Sequence, residues 1–387
     1  MSAGGLAELV AAEPGGVTVK LDVLRSRALK DGAQELKDRA GTNDAAAMAC
    51  LGYFREAGIG AEKDVAEANR WYRKAAEAGH SWAMTNLALN LENGDGISKD
   101  VAEANRWYRK AAEAGDPKAM TNLALNLENG NGISKDVAEA NRWYRKAADE
   151  GEATAIFNLA LMYAQGRGVE KDEAQAARWY RKAADKGNAQ AMHNLAWRYA
   201  FGTGVAKDEA QALRWYRKAA DKGHATAIYR IGWMYARGRG VAKDEAEAVR
   251  WYRKAAAKGE AGAMNNLGWM YANGRGVAKD EADAVYWYRN AAEKGNSDAM
   301  HSLGAAYEVG AGVGKDPRQA AEWVFKAVKA GNDFSIKQMN ENASAYTKQF
   351  RREFQRLLRD AGVYEGRIDG SFGPGVRRAI EALPAAG

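Results

Sequence analysis

One phrase dominates the chain and recurs every 36 residues. Its fullest form reads Lys-Asp-Glu-Ala-x-Ala-x-Arg-Trp-Tyr-Arg-Lys-Ala-Ala, and each copy carries a tryptophan. These tryptophans are Trp71, Trp107, Trp143, Trp179, Trp215, Trp251, Trp287 and Trp323. A constant period of this size is typical of repeat architectures, in which each unit packs only on its neighbours. The period therefore overrides the two or three globular domains that 387 residues would otherwise suggest.

Each unit is predicted to form two helices joined by a glycine-containing turn. Divided after a recurrent glycine, the units span 44–79, 80–115, 116–151, 152–187, 188–223, 224–259, 260–295 and 296–331. In the first helix, apolar residues recur at helical spacing, with a small residue where two helices must approach closely. One such set is Ala263, Met264, Leu267, Gly268 and Tyr271. A Gly-x-Gly sequence, as at 274–276, then ends the helix.

The second helix has clear start and stop signals. An aspartate with a glutamate three residues later, as at Asp64 and Glu67, is typical of a capping box. A glycine such as Gly79 suits the left-handed conformation that ends a helix. Its predicted buried stripe in the first unit is Ala68, Trp71, Tyr72, Ala75 and Ala76. Because large aromatics bury much area, we interpret the Trp-Tyr pairs as packing residues.

The repeated unit resembles a known family. The pattern Ala-Met-x-x-Leu-Gly-x-x-Tyr-x-x-Gly-x-Gly-Val-x-Lys-Asp, followed by Ala-x-x-Trp-Tyr-x-Lys-Ala-Ala, is similar to the Sel1-like repeat, a relative of the tetratricopeptide repeat. The resemblance covers residues 44–331 and implies an all-α fold, a right-handed α/α superhelical solenoid of eight helix-turn-helix repeats. It also implies a role in protein–protein interaction, often in bacterial envelope signalling or host contact, and no catalytic residues.

Both ends of the chain depart from the period. Residues 1–43 are predicted to be irregular at first and then helical over 22–40, where the helix would cap the first repeat. Residues 332–346 are predicted to form a degenerate copy of the first helix of a ninth repeat, which closes the stack.

Residues 347–387 carry a different pattern, a leucine-rich helix followed by Asp-Gly-Ser-Phe-Gly-Pro and an alanine-rich helix. This segment resembles the peptidoglycan-binding-1 module, which implies a small helical module and peptidoglycan as a ligand. The residues of its motif are Ile368, Asp369, Gly370, Phe372 and Gly373. We expect the tight Asp-Gly turn to point Ile368 and Phe372 into a miniature core. The alternative is a helical cap without affinity for glycans.

The resemblance to tetratricopeptide-like stacks implies that the first helices line a concave groove, and a partner-binding site is predicted there in units five to eight. If the first helix packs through positions such as Leu267 and Tyr271, then positions 265, 269 and 273 face the groove. The residues at such positions are His193, Trp197, Phe201, Tyr229, Trp233, Arg237, Asn265, Trp269, Asn273 and His301. The hypothesis centres on Trp197, Trp233 and Trp269, with Arg237 as a cationic anchor. The alternative is that these tryptophans belong to the packing between repeats.

Positive charge is concentrated in two of the units that carry the predicted groove. The net charge is +7, and unit five contributes +3 and unit six +5, whereas every other unit lies between −1 and +1. A positive field of this kind steers acidic partners. We therefore expect a protein or peptide partner with an acidic patch.

No pattern of catalytic or metal-binding residues accompanies the repeats. His193 and His301 occupy equivalent positions three units apart, as His80 and His224 do four units apart, so neither pair is expected to share a metal. Cys50 is interpreted as an inert helix residue. We predict no metal, no cofactor and no enzymatic activity.

Other partner classes are also disfavoured. Acidic residues in each unit offset most of the cations, so nucleic acid is not predicted as a partner. No apolar run of about 18 residues is present, which disfavours membrane insertion. The chain is expected to be a monomer.

The favoured function is a non-enzymatic interaction scaffold or regulator of the bacterial cell envelope, tethered to peptidoglycan if the C-terminal module binds it. One alternative is the C-terminal targeting part of a larger envelope hydrolase or protease, and another is a cytoplasmic adaptor. The first residues resemble no secretory signal, so we expect a periplasmic location if a signal lies upstream and a cytoplasmic one otherwise.

Overall fold

A computed structural model describes residues 28–385, and every regular element in this range is a helix. The helices are α1 Ala28–Gly41, α2 Ala45–Ala57, α3 Val65–Glu77, α4 Ser81–Asn93, α5 Val101–Glu113, α6 Pro117–Asn129, α7 Val137–Asp149, α8 Ala153–Gln165, α9 Glu173–Asp185, α10 Ala189–Phe201, α11 Glu209–Asp221, α12 Ala225–Arg237, α13 Glu245–Ala257, α14 Ala261–Asn273, α15 Glu281–Glu293, α16 Ser297–Val309, α17 Pro317–Lys329, α18 Asp333–Glu341, α19 Lys348–Asp360 and α20 Pro374–Ala382. Short 3₁₀ turns span Ala343–Ala345 and Leu383–Ala385. The predicted all-α solenoid of eight helix pairs is confirmed.

A helix precedes the first repeat, as predicted, over the part of this segment that the structure describes. Helix α1 packs on α2 and buries Leu36 completely. The predicted helix covered 22–40, of which residues 22–27 lie outside the part of the chain that the structure describes.

The predicted caps form, but the glutamates have a different partner. The Asp64 carboxylate accepts from the backbone N–H of Glu67 at 2.8 Å, and Gly79 has a φ of +92°. The capping-box glutamate of the next repeat, Glu103, instead accepts from Arg73 at 2.6 Å. Its carboxylate therefore joins two repeats rather than closing its own helix.

Each repeat is held by a close approach between its two helices. A Cβ on Gly268 would lie 2.6 Å from the ring of Tyr288, and one on Gly52 would lie 2.6 Å from Tyr72. The predicted small residue is thus required by the tyrosine, which is buried in both repeats.

The periodic tryptophans are packing residues, as predicted. Trp107, Trp143 and Trp215 are buried, and the other five are half-buried. A lysine three residues later covers the ring in most repeats, for example Lys218 at 4.0 Å from the centroid of Trp215. The lysine stem and charge therefore shield the part of the ring that packing leaves open.

The helices divide into two compact units. The first contains repeats one to four and also residues 203–205, and the second contains repeats five to eight and the C-terminal helices. None of the helices in the described part of the chain is long and apolar enough to cross a membrane.

The C-terminal segment shares its core with the last repeat. Helix α19 packs on α17, so that Phe350, Phe354 and Leu358 lie in one buried cluster with Val324 and Val328. The expected miniature core is therefore not a core of its own, since Phe372 packs against this larger cluster and Ile368 is not among its residues. The physical reason is that α19 has a single apolar face, and α17 covers it.

Candidate functional site

The predicted groove residues divide into exposed and half-buried side chains. Trp197, Phe201 and Trp269 are 38%, 57% and 51% exposed, whereas Trp233 is half-buried and packs against the core of repeats six and seven. Because exposed aromatic side chains are often binding residues, these three are candidates for partner contact. Trp233 combines both interpretations, since it packs between repeats and also lines the cavities described next.

Two cavities lie beside Trp233. The larger has a volume of about 520 Å³ and brings together five predicted groove residues. These are Tyr229, Trp233, Arg237, Asn265 and Trp269. The smaller, of about 260 Å³, brings Phe201 to Trp233. The predicted residues His193, Trp197, Asn273 and His301 line neither cavity.

The guanidinium groups of the site lie over aromatic rings. Arg237 lies 6.0 Å from the ring centroid of Trp233, and Arg275 lies 6.0 Å from that of Trp269. Arg275 also binds Glu245 at 2.5 Å, and hydrogen bonds from Arg275 and then Lys243 lower the pKa of this carboxyl to about 2. The Glu245 carboxylate on the wall of the larger cavity is therefore ionised near neutral pH.

The predicted residues outside the cavities have structural partners. The His301 Nδ1 lies 2.9 Å from the Ser335 hydroxyl, and the ring meets Phe334 edge-on at 4.8 Å. The Asn273 amide donates to the carbonyl of Trp269 at 2.8 Å, one turn earlier in its own helix.

His193 packs on His224, a contact that was not predicted from the sequence. The His193 ring stacks on His224 at 4.8 Å and lies 5.5 Å from Tyr216. Burial, and then the nearby His224 and Arg230, lower the pKa of His193 to about 4. The neutral ring packs at this position, and the described part of the chain contains no group of three potential metal ligands.

Cys50 is buried in α2, and burial raises the pKa of its thiol to about 11. Its thiolate is therefore scarce at neutral pH, which agrees with the interpretation of an inert residue.

Several residues of the cavities were missed. Arg239 lines the smaller cavity and Arg275 the larger, with Tyr216 and Tyr252 at their inner walls. Both arginines occupy the middle of a Gly-x-Gly sequence, which was interpreted only as a helix breaker. Their positive charge could have identified them from the sequence, because the same position holds the acidic Asp95 in repeat two and the neutral Asn131 in repeat three.

The C-terminal motif forms an ordered turn. The Asp369 carboxylate accepts from Ser371 N–H at 2.7 Å, and Gly370, with a φ of +85°, donates to the Gln355 side chain at 2.7 Å. Phe372 packs on Phe354, with ring centroids 5.9 Å apart. Ile368 is half-buried rather than enclosed, and Gly373 precedes α20 as its N-cap residue.

The family comparison matches the period unit by unit. The model of the Sel1 repeat matches residues 45–80, 83–116, 117–152, 153–188, 189–224, 225–260, 261–296 and 297–332. A comparison with curated proteins gives no match.

Two solved bacterial structures share the fold at more than 30% identity. The protein c5321 of Escherichia coli, described as a protective antigen present in uropathogenic strains and displaying an SLR fold, is 33% identical, with a TM-score of 0.76 over 85% of this chain and 71% of that one. A Sel1 repeat protein from Oxalobacter formigenes is 32% identical, with a TM-score of 0.65 over 86% of this chain and 98% of that one. The chain therefore belongs to the Sel1 repeat family, whose members are generally scaffolds that bind protein partners.

Proposed function

We propose that the chain is a non-enzymatic scaffold of the bacterial cell envelope that binds an acidic protein partner through the first helices of repeats five to seven. The observation that carries this proposal is the exposure of Phe201 and Trp269 at the two cavities, with Trp197 in ring contact with Phe201. Arg237 and Arg275 line the larger cavity. Exposed aromatics and arginines of this kind are typical of the residues that dominate protein interfaces.

The charge distribution supports an acidic partner. Repeat six carries eight lysines and arginines against three acidic residues, and repeat five carries six against three. A locally positive surface accelerates association with a negatively charged protein and disfavours positively charged ones.

The envelope location rests on the related E. coli protein. That protein is described as a protective antigen, and this description motivates the proposed location. By analogy, the chain would act in the envelope as a monomeric scaffold.

Capture from envelope extracts of the source bacterium tests the partner proposal. The chain is immobilised as wild type, as Trp197→Ala with Trp269→Ala, and as Tyr286→Ala. Tyr286 is a matched control, because it is 57% exposed but lies on α15, a second helix. We expect proteins that the double variant loses and the control retains, and equal capture by all three would contradict the proposal.

Cell fractionation tests the location. Recovery with the envelope supports the proposal, whereas recovery with the cytoplasm would favour the adaptor alternative. An immunoblot of the same cells that shows a much larger species would favour the targeting part of a larger hydrolase or protease.

A peptidoglycan tether is a second candidate, favoured by the order of the turn at Asp369. Ser371 is exposed and its carbonyl accepts from Gln355 at 3.0 Å, so the loop is fixed while its outer edge faces solvent. Because α19 shares its core with α17, deletion of residues 347–387 would uncover the last repeat. The sharper test is sedimentation of the full chain with purified sacculi, comparing Ile368→Ala with Val309→Ala, an exposed residue elsewhere in the second unit. Retention that soluble muropeptides compete away and that only Ile368→Ala weakens supports the tether, and no retention of the wild type would exclude it.

A further inference from the structure

The early repeats contain an internal carboxylate site. At the end of the first helix, Glu56, Glu92 and Glu128 accept a hydrogen bond from the tyrosine sixteen residues later, at 2.7, 2.9 and 3.2 Å. The donors are the hydroxyls of Tyr72, Tyr108 and Tyr144. The site thus lies between the two helices of one repeat.

A second donor reaches two of these carboxylates from the next repeat. The residue 39 positions later is Asn131 for Glu92, at 3.4 Å, and Arg167 for Glu128. In repeat three, a tyrosine hydroxyl and an arginine together hold the Glu128 carboxylate. This pair of donors defines a carboxylate site within the repeat pattern.

Repeats five and six keep both donors but replace the carboxylate by alanine. Ala200 and Ala236 occupy the glutamate position, while the donors are Tyr216 with Arg239 and Tyr252 with Arg275. The first pair lines the smaller cavity and the second pair lines the larger one, beside Ala200 and Ala236 respectively. The two cavities therefore occur where the glutamate side chain is absent from the pattern.

The charge of both cavities favours an anion. Three cations and one carboxylate line each: Lys207, Arg230, Arg239 and Glu209 in the smaller, and Arg237, Lys243, Arg275 and Glu245 in the larger. The single carboxylates bind the arginines in the free chain, Glu209 to Arg239 at 3.1 Å and Glu245 to Arg275 at 2.5 Å. With one carboxylate for three cations, each cavity keeps a positive net charge, which favours the binding of a second carboxylate.

Two buried polar atoms on these walls also point to a ligand. Arg230 Nε in the smaller cavity and Asn265 Oδ1 in the larger are buried without a hydrogen-bond partner among the described residues. A buried donor or acceptor without a partner destabilises the free protein, and a bound polar group would remove that cost.

We propose that each cavity binds an acidic side chain of the protein partner. Its carboxylate accepts from the cavity's own tyrosine and arginine, which are equivalent to the two donors that hold Glu128 in repeat three. The inference rests on the proposed function and specifies its chemistry: Asp or Glu side chains enter the cavities of two consecutive repeats. The amide groups of the bound segment supply the donor for Asn265 Oδ1, and Trp269 covers the segment from the rim.

Substitutions that place the chain's own carboxylates in the cavities test this inference. A fluorescein-labelled hexaglutamate peptide is the probe, with hexaglutamine as the uncharged reference, and binding to the full chain is followed by fluorescence anisotropy. In Ala200→Glu with Ala236→Glu, the chain's own carboxylates would occupy both sites. We expect this variant to bind hexaglutamate at least about tenfold more weakly than the wild type. The reason is that the probe can no longer form its charged hydrogen bonds with the tyrosine and the arginine of each cavity.

A control with the same change in charge separates site binding from general electrostatics. Ala164→Glu with Ala257→Glu also adds two negative charges, at positions where other repeats carry Glu128 and Glu293. Ala164 lies in repeat four and Ala257 is exposed on α13, so neither lines the cavities. We expect this control to bind the probe within about twofold of the wild type. Equal weakening in both double variants would overturn the proposal.

A third variant covers the case in which the two glutamates disturb folding. Tyr216→Phe with Tyr252→Phe removes only the two hydroxyl donors, and its far-ultraviolet circular dichroism is compared with that of the wild type. Weaker binding by this folded variant supports the inference, and unchanged binding overturns it. If hexaglutamate does not bind the wild type while the Trp197→Ala, Trp269→Ala variant still loses captured proteins, the inference fails and the proposed function stands.

Discussion

Asn90 donates from its side-chain amide to the side-chain oxygen of Asn69 at 2.8 Å, and both side chains are buried. The pair joins the second helix of repeat one to the first helix of repeat two. Asn69 in turn donates to the carbonyl of Asp95 at 2.7 Å. Between repeats five and eight the equivalent positions hold apolar pairs, for example Leu213 with Met234, both buried. The interface between repeats therefore exists in a polar and an apolar form within one chain.

The two forms predict a strong coupling between the asparagines. Asn90→Met should lower the free energy of unfolding by about 1–3 kcal/mol, because Asn69 then loses a buried partner. Asn69→Leu with Asn90→Met should recover most of this loss, since it reproduces the Leu213–Met234 pair. Urea unfolding of the wild type, both single variants and the double variant measures the coupling, and additive losses would contradict the prediction.

The second glycine of each Gly-x-Gly sequence is predicted to tolerate substitution far less than the glycine that ends the second helix. Gly276 and Gly295 both have positive φ, +66° and +86°. A Cβ on Gly276 would lie 2.2 Å from the carbonyl of Glu245, whereas one on Gly295 would meet nothing within 4 Å. Gly295→Ala should cost about 1–2 kcal/mol and Gly276→Ala about 2–5 kcal/mol. Thermal unfolding of both variants measures which one loses more stability. Equal losses would mean that the positive φ alone determines the cost and that the contact with Glu245 adds nothing.

Acid is predicted to destabilise the second unit through His193. The folded pKa of about 4 lies below the ordinary value of 6.5, so the unfolded chain binds more protons between these two values. Stability should therefore be complete above about pH 6.5 and should fall as the pH drops toward 4, by at most about 1.4 kcal/mol per pH unit from this residue. His193→Gln should make the fall less steep in urea unfolding at pH 7, 6 and 5. An unchanged slope would show that His193 does not carry the effect.

The periodic residues explain why the fold could be predicted. Ala263, Met264, Leu267, Gly268 and Tyr271 were expected on one face, and all five are buried. Helical spacing and terminal glycines are local properties of the sequence, so a single repeat contains the signal and eight copies confirm it.

The site could be predicted only in part, because its contacts depend on how repeats stack. The aromatics around Trp233 were found by helical spacing, whereas the approach of Arg275 to Glu245 and of His224 to His193 joins different repeats. Helical spacing within one element says nothing about such contacts. The core shared by Phe354 and Val324 was missed for the same reason, since it joins the C-terminal segment to a repeat.

The last prediction separates the structural tryptophans from those of the groove. Trp215 is 5% exposed and Trp269 is 51% exposed. Trp215→Ala should lower the free energy of unfolding by about 3–5 kcal/mol, because it leaves a cavity between helices. Trp269→Ala should change it by less than about 1 kcal/mol, as is usual for exposed residues. Urea unfolding of the two variants measures both values. A loss of several kcal/mol for Trp269→Ala would assign this residue to the packing between repeats and would remove it from the partner-binding surface.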